Sequence, residues 1–177
     1  MKSMFFLLLF SVFAQASVVD TINAGTQKTD SVSLLIKANC PSNLPVAVVR
    51  KILTHESKSF YAQNAQPWPW TLNINGKGHY YDSIEDAVTA AQQALDSGAR
   101  RLGVGLGQIE WSYHAGRFDN DIAMSLDPAR NVSVVCDILE EGFNDSRVQT
   151  VRDLIAYYHR PVLDDTGYGY AEKVLAL

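Results

Sequence analysis

The chain has 177 residues, about the size of one domain. Fifteen Lys and Arg against nineteen Asp and Glu give a net charge of −4, so the chain lacks the excess positive charge with which proteins bind phosphate backbones, and nucleic acid is not an expected partner. With 47% hydrophobic and 19% charged residues, the composition is that of a folded globular chain, not a disordered one.

The N-terminus has the pattern of a cleavable secretory signal over residues 1–16. Lys2 precedes a short apolar run, and an A-x-A end follows at residues 14–16. The run is about half as long as a membrane-spanning helix requires. The alternative is a buried N-terminal helix. A signal predicts export across the inner membrane to the periplasm, without stable membrane insertion of the mature chain.

A polar segment follows the expected cleavage site. Residues 17–31 show no hydrophobic periodicity, so we interpret residues 17–42 as an N-terminal leader and residues 43–177 as the folded domain. The two cysteines, Cys40 and Cys136, are too few for a disulfide-rich scaffold or a structural zinc site. An oxidising compartment favours a disulfide between them. Two small buried thiols are the alternative, because sequence alone does not bring the two Cα atoms within reach.

Apolar spacing predicts a helix that begins near Pro45 and extends to Glu56. Ser42 or Asn43 is its expected N-cap, and proline is tolerated in a first turn, where a missing N–H costs nothing. Proline and glycine among the aromatic residues of segment 61–82 predict turns and a short hairpin.

Stripes of apolar residues with end signals predict the remaining elements. They are a helix over residues 83–98, with Ser83 and Asp86 as a capping box; a glycine-rich loop over 102–108; a helix ending at Gly142; a helix from Ser146 to Pro161; and a short helix over 169–176. We therefore expect one mostly helical domain.

Glu56 is the strongest candidate for a catalytic side chain. It lies four residues after Ile52 and three after Leu53, on the apolar face of its helix. Burial and the nearby helix C-terminus both raise the pKa of a carboxyl group, and a carboxyl that stays protonated near neutral pH suits a general acid. The alternative is a half-exposed glutamate at a fraying helix end.

Other common catalytic and ligand-binding motifs are missing. His55-Glu56 does not continue into an H-E-x-x-H zinc motif, and the glycines of the 102–108 loop have neither G-x-G-x-x-G nor P-loop spacing. No G-x-S-x-G elbow is present. We expect no metal and no cofactor.

Several short motifs resemble those of the soluble lytic transglycosylase (SLT) domain, which has a lysozyme-like fold. Thr54-His55-Glu56-Ser57 is similar to the family's E-S motif, and Gly105-Leu106-Gly107-Gln108-Ile109 is similar to its G-L-M-Q-I segment. Asp127-Pro128 with Asn131-Val132 resembles its D-P-x-x-N-I segment. Near the end, Tyr158-His159 resembles its Y-N pair, and the segment from Tyr170 to Val174 resembles its closing Y-x-x-x-V helix. Segment 67–73 also resembles short transglycosylases of conjugation, type IV secretion or pilus systems.

The resemblance implies a mainly α, lysozyme-like α+β fold, with a small hairpin and loop lobe that lines a sugar-binding cleft. It implies cleavage of the β-1,4 bond between N-acetylmuramic acid and N-acetylglucosamine in peptidoglycan, with closure of a 1,6-anhydro ring. Glu56 would make both proton transfers. Ser57 and Gln108 would position Glu56 and the sugars, and Tyr158 would hydrogen-bond near the catalytic carboxyl. The implied partners are glycan strands and components of a secretion, conjugation or pilus machine.

The chain departs from the family pattern at two positions. Gly107 replaces a methionine, which removes a side chain from the expected cleft floor. His159 stands at the position of an asparagine if Tyr158, not Tyr157, is the paired tyrosine, as its apolar stripe favours. Two other functions stay open: a hydrolytic lysozyme of the same fold, which delivers water, and a non-catalytic peptidoglycan-binding assembly factor.

Overall fold

The structure of the chain, a computed structural model, describes the backbone of residues 28–59 and 66–177 and the side chains of 31–58 and 66–177. The expected signal over residues 1–16, the first part of the expected leader, and residues 61–65 of the turn-rich segment lie outside the described residues. The described part is a mostly helical domain with a small antiparallel sheet. Its helices are α1 (Lys28–Asn39), α2 (Val46–Ser57), α3 (Ile84–Asp96), α4 (Trp111–His114), α5 (Ile122–Leu126), α6 (Pro128–Phe143), α7 (Val151–His159) and α8 (Asp165–Leu175), with a 3-10 turn at Ala115–Phe118.

Six short strands form two antiparallel sheets in the described residues. They are β1 (Lys58–Ser59), β2 (Gln66–Pro67), β3 (Thr71–Ile74), β4 (Lys77–Tyr80), β5 (Leu102–Val104) and β6 (Ile109–Glu110). β1 pairs with β2, and the larger sheet has the order β4-β3-β5-β6. Ile74 pairs with Lys77, which leaves Asn75 and Gly76 as a two-residue turn with positive φ angles of 51° and 91°. The Asn-Gly pair is typical of this hairpin turn, and the hairpin expected within segment 61–82 is confirmed.

Helix α1 corrects the interpretation of residues 17–42 as a leader. Val32, Leu35 and Ile36 are buried in the core, and α1 packs on α2 and α6. The three side chains follow i, i+3, i+4 spacing and form one helical face. The folded domain therefore includes α1, because this helix buries apolar surface against the rest of the core.

Helix α2 brings Glu56 to the edge of the core. Val49, Ile52 and Leu53 are fully buried, and the N-cap position is Pro45, not Ser42 or Asn43. The helix ends at Ser57, whose carbonyl accepts a hydrogen bond from the backbone N–H of Trp68 at 3.0 Å. The last turn of α2 is thus attached to the segment that leads into the larger sheet.

The other predicted helices are present with shifted ends. Ser83 caps α3 as expected, since its Oγ accepts from the N–H of Asp86. The Asp86 carboxylate accepts from the Ser83 hydroxyl, whereas the expected capping box would use the Ser83 backbone N–H as the donor. Helix α7 begins after Thr150, not at Ser146, since Thr150 and Asp153 form a capping box. Helix α8 begins at Asp165 instead of residue 169. Helices α4 and α5 were not predicted, because four or five residues are too few to show a helical period.

A disulfide joins Cys40 to Cys136, with Cα atoms 5.5 Å apart. It connects the chain directly after α1 to the middle of α6, so the alternative of two free buried thiols does not apply. Among the described residues, no helix has both the length and the apolar character needed to cross a membrane.

Candidate active site

A cleft with a volume of about 860 Å³ lies between the larger sheet and the C-terminal helices. Glu56, Gln108 and Tyr158, three of the residues singled out from the sequence, line it together. The other lining residues include Asn73, Arg100, Arg101, Gly107, Glu110, Tyr113, His114, Glu141, His159, Arg160 and Val162. A cleft of this size accommodates an extended ligand of several rings.

Glu56 is held in the cleft by one strong hydrogen bond. The hydroxyl of Tyr170, on α8, donates to Glu56 Oε1 at 2.5 Å. Burial raises the pKa of Glu56 from 4.5 to about 7, although the hydrogen bond from Tyr170 acts in the opposite direction. Desolvation therefore outweighs the stabilisation of the charged form, and the raised pKa expected of Glu56 is found.

Tyr170 is a site residue that the sequence reasoning did not assign. Its ring is buried, stacked on His159 at a centroid distance of 4.5 Å and met edge-on by His55 at 5.0 Å. Burial and the neighbouring charge of Glu56 raise the pKa of Tyr170 far above its usual range, so its hydroxyl stays a donor. The only signal in the sequence was its place in the closing Y-x-x-x-V segment.

The hydroxyl of Tyr158 was expected to form a hydrogen bond near the carboxyl of Glu56, and both side chains line the cleft. The hydroxyl donates to the carbonyl of Gly107 at 2.7 Å, whereas the direct bond to the carboxyl of Glu56 comes from Tyr170. Burial and the charge of Glu56 raise the pKa of Tyr158, so this hydroxyl also remains protonated. Tyr158 lines the cleft, and its hydrogen bond holds the backbone of Gly107 in place.

Ser57 does not face the cleft. Its side chain is fully buried and its Oγ donates to the carbonyl of Leu53 at 2.9 Å. A hydroxyl at a helix end commonly bonds back to the carbonyl four residues earlier. Ser57 is therefore not placed to contact sugars in the cleft, whereas its expected role in positioning Glu56 stays a prediction.

Gln108 shapes the loop between β5 and β6. Its backbone φ is 48°, in the left-handed region where side chains other than glycine are strained, and such strain concentrates at functional sites. Its Nε2 donates to the carbonyls of Gly105 at 2.9 Å and Thr71 at 3.1 Å. The side chain thus ties the loop to β3 while it lines the cleft.

The side-chain amide of Asn131, on α6, forms hydrogen bonds with the same loop. This buried side chain accepts from the N–H of Gly107 at 2.8 Å and donates to the carbonyls of Val104 and Ser125 at 3.0 and 2.8 Å. The sequence placed Asn131 in a motif without giving it a role. Every polar atom of this amide is matched, so it fixes the loop against α6.

The glycine at position 107 is explained by its neighbours. A Cβ atom there would collide with Val135 Cγ2 and would lie 2.8 Å from the hydroxyl of Tyr158. These two side chains occupy the space that the family's methionine would need. Tyr158 therefore lines the cleft beside Gly107, and Val135 packs behind this glycine.

The other carboxylates that line the cleft accept hydrogen bonds from groups of the protein. Glu110 Oε1 accepts from the N–H of Leu102 at 3.0 Å and the hydroxyl of Ser112 at 3.1 Å. Arg117 donates to both carboxylate oxygens of Glu141, at 2.8 and 3.0 Å. Asp82 and Glu85 are not among the described residues that line the cleft. Across the part of the chain that the structure describes, no three His, Cys, Asp or Glu side chains are grouped as metal ligands.

Comparisons of the chain with protein-family models, curated proteins and solved structures give no match. The cleft itself has a defined chemistry. It contains one carboxyl group with a pKa near neutrality, fixed by a donor that does not ionise. This arrangement suits general acid catalysis on a ligand that enters the cleft.

Proposed function

We propose that this protein is a peptidoglycan lytic transglycosylase with a lysozyme-like fold, which cleaves the β-1,4 bond between N-acetylmuramic acid and N-acetylglucosamine. The observation that carries the proposal is Glu56: a carboxyl with a pKa of about 7 at the wall of a large cleft. The order of the motifs around it, from the E-S pair in α2 to the Y-x-x-x-V segment in α8, supports the same function.

Glu56 performs the first step as an acid. Because Tyr170 donates to Oε1, the proton that is transferred is carried on Oε2. This proton passes to the glycosidic oxygen as its bond to C1 of the muramyl sugar breaks. The N-acetyl group of that sugar stabilises the developing positive charge at C1, and N-acetylglucosamine leaves with a new hydroxyl.

Glu56 then performs the second step as a base. Its carboxylate accepts the proton of the muramyl 6-hydroxyl while the 6-oxygen bonds to C1. The product is a 1,6-anhydro ring, water is not consumed, and Glu56 is protonated again. One carboxyl that gains and loses a proton near neutral pH is sufficient for both steps.

The hydrogen bonds of the other two carboxylates in the cleft, Glu110 and Glu141, favour this mechanism over hydrolysis by a retaining lysozyme. Retaining glycosidases use a second carboxyl about 5 Å from the first. In this cleft, Glu110 is bonded to Leu102 and Ser112, and Glu141 is bonded to Arg117. Both carboxylates are thus already hydrogen-bonded within the protein, Glu110 through Oε1 and Glu141 through both of its oxygens. We further propose that the enzyme acts in the periplasm, where it opens the wall locally for a secretion, conjugation or pilus machine.

Mass spectrometry of muropeptides released from purified peptidoglycan tests the proposal. We expect 1,6-anhydromuramyl products from the wild type, none from Glu56→Gln, and unchanged products from the matched control Asp137→Asn, an exposed carboxylate of α6. The rate should fall as pH rises through about 7, since the acid form of Glu56 is then lost.

Each contrary result identifies a different alternative. Reducing muramyl ends would replace the transglycosylase with a hydrolytic lysozyme. Binding to peptidoglycan without any product would leave a non-catalytic assembly factor. A folded Glu56→Gln protein with wild-type activity would remove Glu56 as the catalytic acid.

A further inference from the structure

Three arginines line the cleft in addition to the residues used in the proposed chemistry. Arg100 and Arg101 lie in the loop between α3 and β5, and Arg160 follows α7. We call these three residues the basic rim. His159 lines the same cleft next to Arg160, and its pKa is lowered first by burial and then by neighbouring positive charges, Arg160 before Arg101. The chain as a whole has a net charge of −4, so this positive charge is local.

The backbone of the basic rim is held in place by the hairpin. Asn75 Oδ1 accepts from the N–H groups of Arg100 and Arg101 at 3.0 and 3.2 Å. The N–H of Asn75 donates in return to the carbonyl of Arg101 at 3.0 Å. Three hydrogen bonds from one turn residue therefore present both arginines at the cleft.

The guanidinium groups are available to a ligand. Within the described residues, the Arg100 side chain has no hydrogen bond and no ion pair. Arg101 is 79% exposed and its nearest acidic oxygen, on Glu110, is 4.0 Å away. Arg160 lies 3.3 Å from Asp164 in a pair that is exposed on both sides. Exposed pairs of this kind contribute little, and an incoming anion can replace them.

The anion that the rim fits is a carboxylate. A guanidinium group binds carboxylates through two parallel N–H donors, which gives direction as well as strength. In peptidoglycan, the stem peptide is attached through a lactyl group to the same muramyl sugar whose C1 bond is broken. A ligand that places this bond at Glu56 therefore carries its stem peptide beside the reacting ring, within the same cleft.

We propose that the basic rim binds the carboxylates of the stem peptide, so that the enzyme discriminates peptide-bearing glycan strands from bare ones. This inference rests on the proposed function, because it assigns the substrate class of the same cleft. It makes Arg100 and Arg101 determinants of specificity. They do not take part in proton transfer, which is confined to Glu56.

Cleavage rates on two matched substrates test this inference. Glycan strands of the same length are prepared with their stem peptides and after removal of these peptides by an amidase. We expect the wild type to have a roughly tenfold higher kcat/KM on the peptide-bearing strands, the effect of one charge-assisted contact. The double variant Arg100→Gln/Arg101→Gln should lose this preference, because its kcat/KM falls more on the peptide-bearing strands than on the bare ones. Added salt should reduce the wild-type preference, since the arginines are exposed.

A double variant elsewhere on the surface separates a local effect from a change in total charge. Lys37 and Lys77 are exposed and do not line the cleft, so Lys37→Gln/Lys77→Gln removes the same charge without touching the rim and should behave as the wild type. Equal wild-type rates on the two substrates, or an equal loss on both in the arginine variant, would overturn the inference while the transglycosylase proposal stands. Failure of the wild type to cleave either substrate would instead overturn the proposed function.

Discussion

The carboxyl group of Glu56 binds its proton more tightly in the folded chain than in the unfolded one. Burial raises its pKa from 4.5 to about 7. Between these two pH values, the folded state holds more protons than the unfolded state, so the free energy of unfolding decreases as pH rises. Below pH 4.5 the carboxyl is protonated in both states and does not change the free energy of unfolding with pH. Above pH 7 it is ionised in both states, and the free energy of unfolding has decreased by its full amount. A pKa change of this size corresponds to about 3 kcal/mol. The raised pKa that suits Glu56 to act as an acid therefore lowers the stability of the fold at neutral pH.

Replacement of Glu56 by glutamine should remove this pH dependence. Glutamine keeps the shape of the carboxyl and an acceptor for Tyr170, but does not ionise. We expect Glu56→Gln to match the wild type in urea unfolding at pH 4 and to be more stable by about 3 kcal/mol at pH 8. Asp137→Asn, at an exposed carboxylate of the same chain, should show the wild-type difference between the two pH values. A Glu56→Gln profile parallel to that of the wild type would contradict the buried-acid assignment.

Single residues of the site differ in how far sequence could assign them. Glu56 was identifiable because its spacing from Ile52 and Leu53 places it on the apolar face of one helix, which is local information. Tyr170 was not assigned, because its bond to Glu56 spans 114 positions and depends on how α8 packs. Ser57 was misassigned: a polar residue beside a catalytic candidate has the same pattern whether it faces a ligand or bonds to its own helix.

At the scale of elements, the loop between β5 and β6 owes its shape to a helix that follows later in the chain. Asn131 of α6 connects to the loop through Gly107 and Val104. Gly105 has a φ of 72°, and a Cβ there would collide with the amide of Asn131. Sequence indicated a glycine-rich loop but not what it contacts. It also missed α4 and α5, which are too short to show a period, and α1, which follows directly after a polar stretch.

Truncation of Asn131 should release this loop. Asn131→Ala removes the acceptor of the Gly107 N–H and one donor to each of the carbonyls of Val104 and Ser125, at a buried position. A buried group that loses its partner costs about 1–3 kcal/mol, so we expect a loss of roughly 3 kcal/mol or more in urea unfolding and faster hydrogen exchange at Gly107. Ser133→Ala, a half-buried position of the same helix, serves as the control and should change both readouts little. Unchanged exchange at Gly107 in Asn131→Ala would contradict the role of this amide.

On the scale of the whole molecule, the cleft and the N-terminal helix belong to different parts of one core. The described lining residues of the cleft run from Glu56 to Val162, so α1 contributes none of them. Helix α1 instead packs on α2 and α6 and is covalently attached to α6 through Cys40 and Cys136. Cysteine identity and compartment favoured this bond, but only the packing of α1 on α6 brings the two Cα atoms to 5.5 Å. The disulfide is therefore expected to stabilise the fold and leave the cleft unchanged.

Removal of the disulfide should lower stability without altering the cleft. The bond closes a loop with a sequence separation of 96 residues, and loss of such a constraint on the unfolded chain costs up to about 5 kcal/mol. For a chain of this size, a loss of 3 kcal/mol lowers the melting temperature by roughly 10 °C. We expect calorimetry to show this decrease for Cys40→Ser/Cys136→Ser and for the reduced wild type. Reductant should not affect the double variant, and cleavage well below the transition should continue at the wild-type rate. Coincident melting curves for the oxidised and reduced wild type would show that the packing of Val32, Leu35 and Ile36 alone holds α1 in place.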